Sequence, residues 1–125
     1  MLKQYPHFLY KHEAPTATIN ANGSWTEDQS GAWTFAGACR EETNGKGTSI
    51  TTADGRALVF SSLIQMPVGA ERISEGTEVA IFDTELPAEA VQNFDAYFET
   101  YRPHLRIKGI NHKFDSGRLH CRMWI

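Results

Sequence analysis

The sequence predicts a mainly β domain: a small antiparallel β-barrel, or alternatively a two-layer sandwich, of about six to seven strands with one helix inserted near residues 86–101. Apolar and polar residues alternate over most of the chain, which is the period of a strand with one buried face. Turn dipeptides interrupt the alternation at short intervals, as they do between hairpin strands. Closure into a barrel or a sandwich would protect the edges of such short strands.

Length and charge limit the class further. A chain of 125 residues has the size of one domain, so we expect residues 1–125 to share a single core. Twelve Lys and Arg against fifteen Asp and Glu give a formal charge of -3, with no basic block that would hold DNA phosphates. The chain has neither an apolar run of about 18 residues nor the apolar core of a signal peptide. We therefore expect a cytoplasmic protein without membrane contact, and not a conventional DNA-binding domain.

The first third of the chain predicts two strands joined by a long connection. Residues 5–12 form the first predicted strand. A polar excursion follows over residues 13–31, where Asn22-Gly23 favours a short hairpin. Residues 33–40 alternate again and predict the second strand. Two glycines and an asparagine then indicate a loop at residues 41–47.

The Asp54-Gly55 pair predicts a β-hairpin, because it separates two strand-like segments, residues 48–52 and 56–66. We expect a type I′ turn, which needs positive φ at both central residues. The second arm has apolar residues on both faces, so we expect it to lie near the centre of the core.

A change of period separates the next two elements. Residues 77–82 alternate, with Val79 and Ile81 on one face, and predict a strand. Helical spacing begins at Leu86 and ends near Arg102-Pro103, which predicts one helix over residues 86–101. We expect its apolar stripe to pack on the sheet of the same domain; the stripe consists of Val91, Phe94, Tyr97 or Phe98, and Tyr101.

The end of the chain predicts a second hairpin, formed by residues 104–114 and 118–125. A two-residue turn at Ser116-Gly117 gives the register that matches apolar side chains best. This register places Phe114 opposite Leu119, His112 opposite Cys121, and Gly109 opposite Trp124.

Cys121 and His112 are the candidate catalytic pair in that register, because a thiol nucleophile needs a histidine within hydrogen-bond reach. The plainer interpretation is a strand histidine beside a buried thiol, and we expect both Cys39 and Cys121 to be reduced and mostly buried. Zinc would need converging ligands, but His120 and Cys121 point to opposite faces of a strand. We therefore expect no catalysis, no metal and no cofactor.

A set of basic and aromatic residues supports a different hypothesis, an OB-like module that binds single-stranded nucleic acid. Bases would stack on the ring while the cations follow the backbone. The overall acidity instead favours a solvated strand face. The residues concerned are Arg106, Lys108, Lys113, Arg118, Arg122 and Trp124.

The order of several short motifs resembles that of the prophage-encoded head-closure, or head-tail joining (connector), proteins of long-tailed bacteriophages. The motifs are a tryptophan followed by a Cys-Arg-Glu segment and an Asn-Gly turn, an Asp-Gly hairpin, an Ile-x-x-Gly-Thr strand entry and a closing Arg-x-Trp. In this chain they are Trp33, Cys39-Arg40-Glu41, Asn44-Gly45, Asp54-Gly55, Ile73 to Thr77, and Arg122-Met123-Trp124. The helical segment at 86–101 departs from the pattern and leaves a tail-completion protein as an alternative.

The resemblance implies a small β-barrel that assembles as a homo-oligomeric ring beneath the portal and adaptor, in the bacterial cytoplasm and then in the virion. The ring would close the head or receive the tail, with double-stranded DNA near it but not gripped. Because loops are free to meet neighbouring subunits, we expect the assembly contacts on the excursion at 13–31 and the loop at 41–47. The candidate residues are Trp25, Glu41, Glu42, Thr43, Asn44, Gly45, Lys46 and Gly47.

Overall fold

Antiparallel strands form most of the protein, which confirms the mainly β class. The computed structural model describes residues 4–13, 17–19, 25–27, 32–45, 47–52 and 54–125. The strands in these residues are β1 (His7–Glu13), β2 (Ala17–Ile19), β3 (Trp25–Glu27), β4 (Ala32–Thr43), β5 (Ser49–Thr51), β6 (Ala57–Val59), β7 (Ser62–Pro67), β8 (Glu78–Phe82), β9 (Leu105–Ile110), β10 (Lys113–Ser116) and β11 (His120–Trp124). The helices are α1 (Ala88–Gln92) and α2 (Phe94–Tyr101), and a 3-10 turn follows at Arg102–His104.

Seven strands form one sheet in the order β10-β11-β7-β4-β1-β8-β9. Strand β4 joins its two halves, because Ala32 to Cys39 pair with β1 whereas Arg40 to Thr43 pair with β7. A bulge opposite Leu9 and Tyr10 bends β4 where Gly37 has φ of +127°. Because β4 bends, it belongs to both halves of the sheet, and the two halves can face each other.

The sheet is not closed into a barrel, and that part of the expectation is wrong. Strands β9 and β10 are the two edges, and the chain passes from one to the other through Asn111 and His112. The Asn111 N–H donates to Thr77 O (2.9 Å), while the His112 N–H donates to Trp124 O (2.8 Å). Asn111 and His112 thus bond to opposite halves of the sheet. The bent segment that they form connects the edge strands β9 and β10, which do not pair with each other.

The main core lies between the two halves of the sheet. One half supplies residues such as Leu9 and Ile81, the other supplies residues such as Ile64 and Met123, and all four are fully buried. The packing is thus two-layered even though one sheet provides both layers. The complete cluster is Leu9, Cys39, Ile64, Met66, Ile73, Val79, Ile81, Phe114, Cys121, Met123 and Ile125.

A second core lies under the helices, on the other face of β1 and β8. Ala80 and Phe82 belong to it, whereas Val79 and Ile81 belong to the main core, so the predicted alternation of this strand is confirmed. Phe94 anchors α2, with its ring stacked on that of Trp33 at a centroid distance of 4.0 Å. The expectation that the apolar stripe packs on its own sheet is therefore confirmed.

The predicted single helix is two helices, with a break at Asn93. This residue has φ of -119° and ψ of 51°, which are not helical values. Its side-chain amide donates to Glu89 O (3.1 Å), and this local bond competes with continuation of the helix. No helix in the described part of the chain is long and apolar enough to cross a membrane.

The hairpin at Asp54-Gly55 is confirmed as β5–β6, but its turn is not type I′. The Thr52 N–H donates to Arg56 O (2.8 Å) and the Gly55 N–H donates to Thr52 O (2.9 Å), which is the pattern of a three-residue loop. Among the described residues only glycines have positive φ, so Asp54 does not have it. The predicted second arm is also interrupted at Phe60 and Ser61, which separates β6 from β7.

The register predicted for the last hairpin is wrong by four residues. Phe114 pairs with Met123 instead of Leu119, and Gly109 pairs with Val79 on β8 instead of Trp124. The turn lies two residues further along the chain than predicted, at Arg118-Leu119, because Ser116 pairs with Cys121 and the Gly117 N–H donates to the main-chain oxygen of His120 (3.0 Å). An even shift leaves every side chain on its original face, so apolar matching could not distinguish the two registers.

Gly55→Val is expected to lower the free energy of unfolding by about 1 kcal/mol. Gly55 has φ of +84°, and a β-branched side chain is strained there even though a Cβ would meet nothing within 4 Å. Urea unfolding measures the effect. Gly45→Ala is the control, because Gly45 is not in the left-handed region and also has open space. Equal stabilities for both variants would contradict the turn.

Candidate functional site

Only part of the predicted assembly loop is a loop. Glu41, Glu42 and Thr43 belong to β4, because all three pair with β7, so their assignment to a loop is wrong. Asn44, Gly45 and Gly47 follow the strand as expected, and Lys46 lies outside the described residues. Trp25 begins β3 and pairs with Ile19, which confirms the short hairpin in the long excursion.

A second excursion follows β4 at residues 45–60, and Asn44 holds its two ends together. Its side-chain amide donates to Phe60 O (2.8 Å) and Thr48 O (2.9 Å), and its Oδ1 accepts from the Thr48 N–H (3.2 Å). Its own N–H donates to Ser61 O (2.9 Å). One residue therefore holds the start and the end of the excursion together, directly beside the paired strands β4 and β7.

Glu41 is the centre of a polar cluster that the sequence analysis did not identify. Its side chain is only 2% exposed, and Arg106 Nε donates to its Oε1 (3.0 Å). The hydroxyls of Ser62 and Thr43 both donate to Oε2, each at 3.0 Å. The alternation of β4 is the sequence signal that could have identified Glu41 as buried. Glu41 lies two residues after Cys39 and therefore on the same, core-facing side of the strand.

Arg106 reaches Glu41 because of an irregularity in β9. Phe82 pairs with Leu105 whereas Ile81 pairs with Ile107, so Arg106 is the extra residue of a bulge. Its side chain is 39% exposed, which leaves one side of the ion pair in contact with water. The buried carboxylate thus has three donors, as a charged group inside a protein requires.

His7 and Cys39 complete this end of the sheet. They pair across β1 and β4, and His7 Nδ1 accepts from the Glu41 N–H (3.0 Å). Burial, followed by the charge of Arg106, lowers the pKa of His7 from its ordinary value of 6.5. Burial raises the pKa of the Cys39 thiol to about 12, so the thiol is protonated at neutral pH and is a poor nucleophile.

The proposed pair of Cys121 and His112 is not formed. Cys121 pairs with Ser116 on one side and Met66 on the other. His112 lies at the corner between β9 and β10. Both cysteines are free and buried, as expected.

The folded protein is expected to lose stability on acidification because of His7. Its pKa is lower in the folded state, so the contribution of the neutral ring is complete above about 6.5 and is lost as the pH falls through the folded value. The unfolding free energy measured between pH 7.5 and 5 should therefore fall less in His7→Gln, whose amide oxygen can still accept from Glu41 without titrating. Parallel pH profiles for the two proteins would contradict this role.

An apolar cleft of about 320 Å³ lies between α1 and the sheet. Tyr10, Phe35, Leu86 and Val91 line its apolar part, and Phe35 is 49% exposed. The Leu86 N–H donates to the hydroxyl of Tyr10 (2.8 Å), which attaches the segment before α1 to β1. The exposed Glu85 and Gln92 also line the cleft. The cleft therefore combines an apolar floor with a carboxylate.

Most of the basic and aromatic residues proposed as a single-stranded nucleic-acid surface contact groups of their own chain. Trp124 is only 8% exposed, and Lys113 and Arg122 lie over its ring at 5.4 and 5.3 Å from the centroid. The ring is therefore not free to stack on a base. Three of the cations pair with carboxylates: Arg106 with Glu41, Lys108 with Glu78 (3.0 Å) and Arg122 with Asp115 (2.8 Å).

Among the described residues, no group of three or more His, Cys, Asp or Glu side chains is arranged to hold a metal ion. No protein-family model matches the sequence, and neither the curated proteins nor the solved structures contain a significant match.

Proposed function

We propose that the chain is a structural subunit of a bacteriophage or prophage particle, acting in head closure or head-tail connection as part of a ring beneath the portal. The observation that carries this proposal is the excursion at residues 45–60, which contains the β5–β6 hairpin. Strands β5 and β6 pair with each other and with no strand of the large sheet. Val59 on this hairpin is 62% exposed. Such an extension is suited to contact a neighbouring component.

The sheet itself does not depend on the excursion. Thr43 pairs with Ser62, and the Asn44 N–H donates to Ser61 O, so β4 and β7 are already adjacent where the excursion leaves and returns. Strands β2 and β3 form a second hairpin of this kind between β1 and β4. Both extensions thus add surface beyond what the sheet requires, which supports an assembly role.

The charges also agree with a protein that surrounds DNA without gripping it. The formal net charge is -3, and several cations of the last strands are paired with carboxylates. Each unpaired cation that neutralised a phosphate would strengthen non-specific binding. A ring of such subunits would leave the duplex free to pass.

Replacement of residues 45–60 by Gly-Gly is expected to preserve the fold and to abolish particle assembly. The two glycines form a two-residue hairpin loop between Asn44 and Ser61, and shortening a loop changes its closure entropy little. The melting temperature of the purified variant should stay within a few degrees of the original. Electron micrographs of a lysate of the encoding phage should show heads without joined tails.

Gly45→Ala is the matched control, because it changes the same segment and keeps the hairpin. Heads that lose their DNA would place the protein at head closure, whereas full heads beside detached tails would indicate the tail-completion alternative. Normal numbers of tailed particles with a folded variant would contradict the role of the excursion. Normal particles after removal of the whole gene would overturn the proposed function.

A further inference from the structure

Charge is divided between two consecutive parts of the chain. Residues 83–101 contain acidic residues and no basic ones, whereas residues 102–125 contain one acidic residue, Asp115, among many basic ones. Four of the six basic side chains pair with carboxylates of the same chain, so only a cation without such a pair is available to the acidic part of another copy. The acidic residues of the first part are Asp83, Glu85, Glu89, Asp95 and Glu99, and the basic ones of the second are Arg102, Arg106, Lys108, Lys113, Arg118 and Arg122.

An apolar surface with an exposed cation lies at the turn before β11. Leu119 is 82% exposed, and Val68 is 60% exposed. They lie at the same end of two paired strands, because His120 pairs with Pro67. Arg118 is exposed beside them, and no ion pair within the described part of the chain uses its guanidinium. We name Val68, Arg118 and Leu119 the tip surface.

The α1 cleft has the complementary properties. Phe35 and Leu86 provide apolar walls, and Glu85 provides an exposed carboxylate that no cation of the described residues pairs with. No residue of β10, β11 or their turn lines this cleft. The tip surface therefore lies on a different part of the molecule, and the two surfaces can meet between copies.

We propose that the tip surface of one copy docks into the α1 cleft of the next copy. Leu119 enters the cleft beside Phe35 and Leu86, and Arg118 pairs with Glu85. A contact between two different surfaces leaves one of each free, so it extends into a ring or a filament and not into a closed dimer. This inference rests on the proposed function, because it names the contact that joins the subunits of the ring.

Cross-linking of two singly substituted proteins tests the contact. Ser116→Cys places an exposed thiol next to the tip surface, and Gln92→Cys places one in the α1 cleft. The Ser116→Cys protein also carries Cys121→Ala, because residue 116 pairs with Cys121 and the two thiols would form a disulfide within the chain. The other native thiol, Cys39, is buried. A short bismaleimide added to a mixture of the two proteins should give a covalent heterodimer. The control mixture contains Ser74→Cys in place of Gln92→Cys, because Ser74 is exposed and lies outside both the cleft and the excursion at residues 45–60. An equal heterodimer yield in both mixtures would overturn the proposal.

Further substitutions test the individual side chains. Leu119→Ser in the Ser116→Cys protein should lower the heterodimer yield about tenfold, as expected for loss of one buried leucine. Ile110→Ser, which removes an exposed aliphatic side chain from β9, outside both surfaces, should leave the yield unchanged. Arg118→Glu in the Ser116→Cys protein should lower the heterodimer yield, and so should Glu85→Arg in the Gln92→Cys protein. A mixture of these two charge-reversed proteins should restore the yield. No effect of Leu119→Ser, or no recovery with both reversals, would overturn the contact.

These outcomes are separate from those of the proposed function. If the cross-link is absent but excision of residues 45–60 still blocks tail joining, the contact is wrong and the assembly role stands. If the cross-link forms but particles are normal without the gene, the assembly role is wrong and the contact belongs to another kind of self-association. Melting temperatures of each variant show that the fold is retained.

Discussion

Replacing Phe94 by alanine is expected to lower the free energy of unfolding by about 3–4 kcal/mol. Phe94 is 5% exposed and is the residue through which α2 enters the second core. Its ring stacks on Trp33 at 4.0 Å and meets Phe82 edge-on at 6.1 Å. Alanine would remove these contacts and leave a cavity that the rigid strands beneath cannot fill. Urea unfolding with an unchanged slope would measure the loss.

Phe98→Ala is the matched control for this prediction. Phe98 lies one turn further along α2 but is only partly buried, so its removal should cost about half as much. The same order should appear in melting temperatures. Equal effects of the two substitutions would mean that α2 is not anchored through Phe94 and that the second core is loosely packed.

Replacing Arg106 by methionine is expected to cost about 2 kcal/mol, because it leaves the Glu41 carboxylate buried without its cation. Glu41 is 2% exposed, while the partly exposed side chain of Arg106 places the pair below the range of fully buried ion pairs. Methionine keeps most of the apolar stem and so isolates the loss of charge. Unfolding in urea at pH 7 measures the difference.

The double variant Glu41→Gln with Arg106→Met should recover most of that stability. A neutral amide still accepts from Ser62 and Thr43 and does not need a cation. We expect the double variant to lie within about 1 kcal/mol of the original protein. If the double variant is no more stable than Arg106→Met alone, the cost comes from lost packing around Arg106 and not from the isolated carboxylate.

The polar cluster shows why the site was harder to predict than the strands. Alternation places Glu41 on the core face of β4, but a glutamate after Arg40 and before an Asn-Gly pair resembles the start of a loop. Its partners Ser62 and Arg106 lie 21 and 65 residues away along the chain. Only the pairing of β4 with β7 and the bulge at Arg106 bring them together.

Local signals were sufficient for the elements that depend on neighbouring residues. The alternation of β8, the hairpin at Asp54-Gly55 and the apolar stripe ending near Tyr101 were all predicted, because side-chain period and turn chemistry act over a few residues. The break at Asn93 was not predicted, although it too is local, because a single asparagine is compatible with a helix interior.

By itself, the sequence determined the mainly β class, the individual strands of the hairpins and the face of each strand that is buried. These features follow from a period of two along each strand. The tertiary structure alone decided which strands become neighbours, the register of Phe114 with Met123, and the open sheet that bends at β4 and at Asn111. The alternation of apolar and polar residues assigns each side chain to a face of its strand. An even shift of register leaves these faces unchanged, so the alternation does not select the register. The choice among those arrangements depends on distant residues that meet only in the folded chain, as Glu41 meets Arg106.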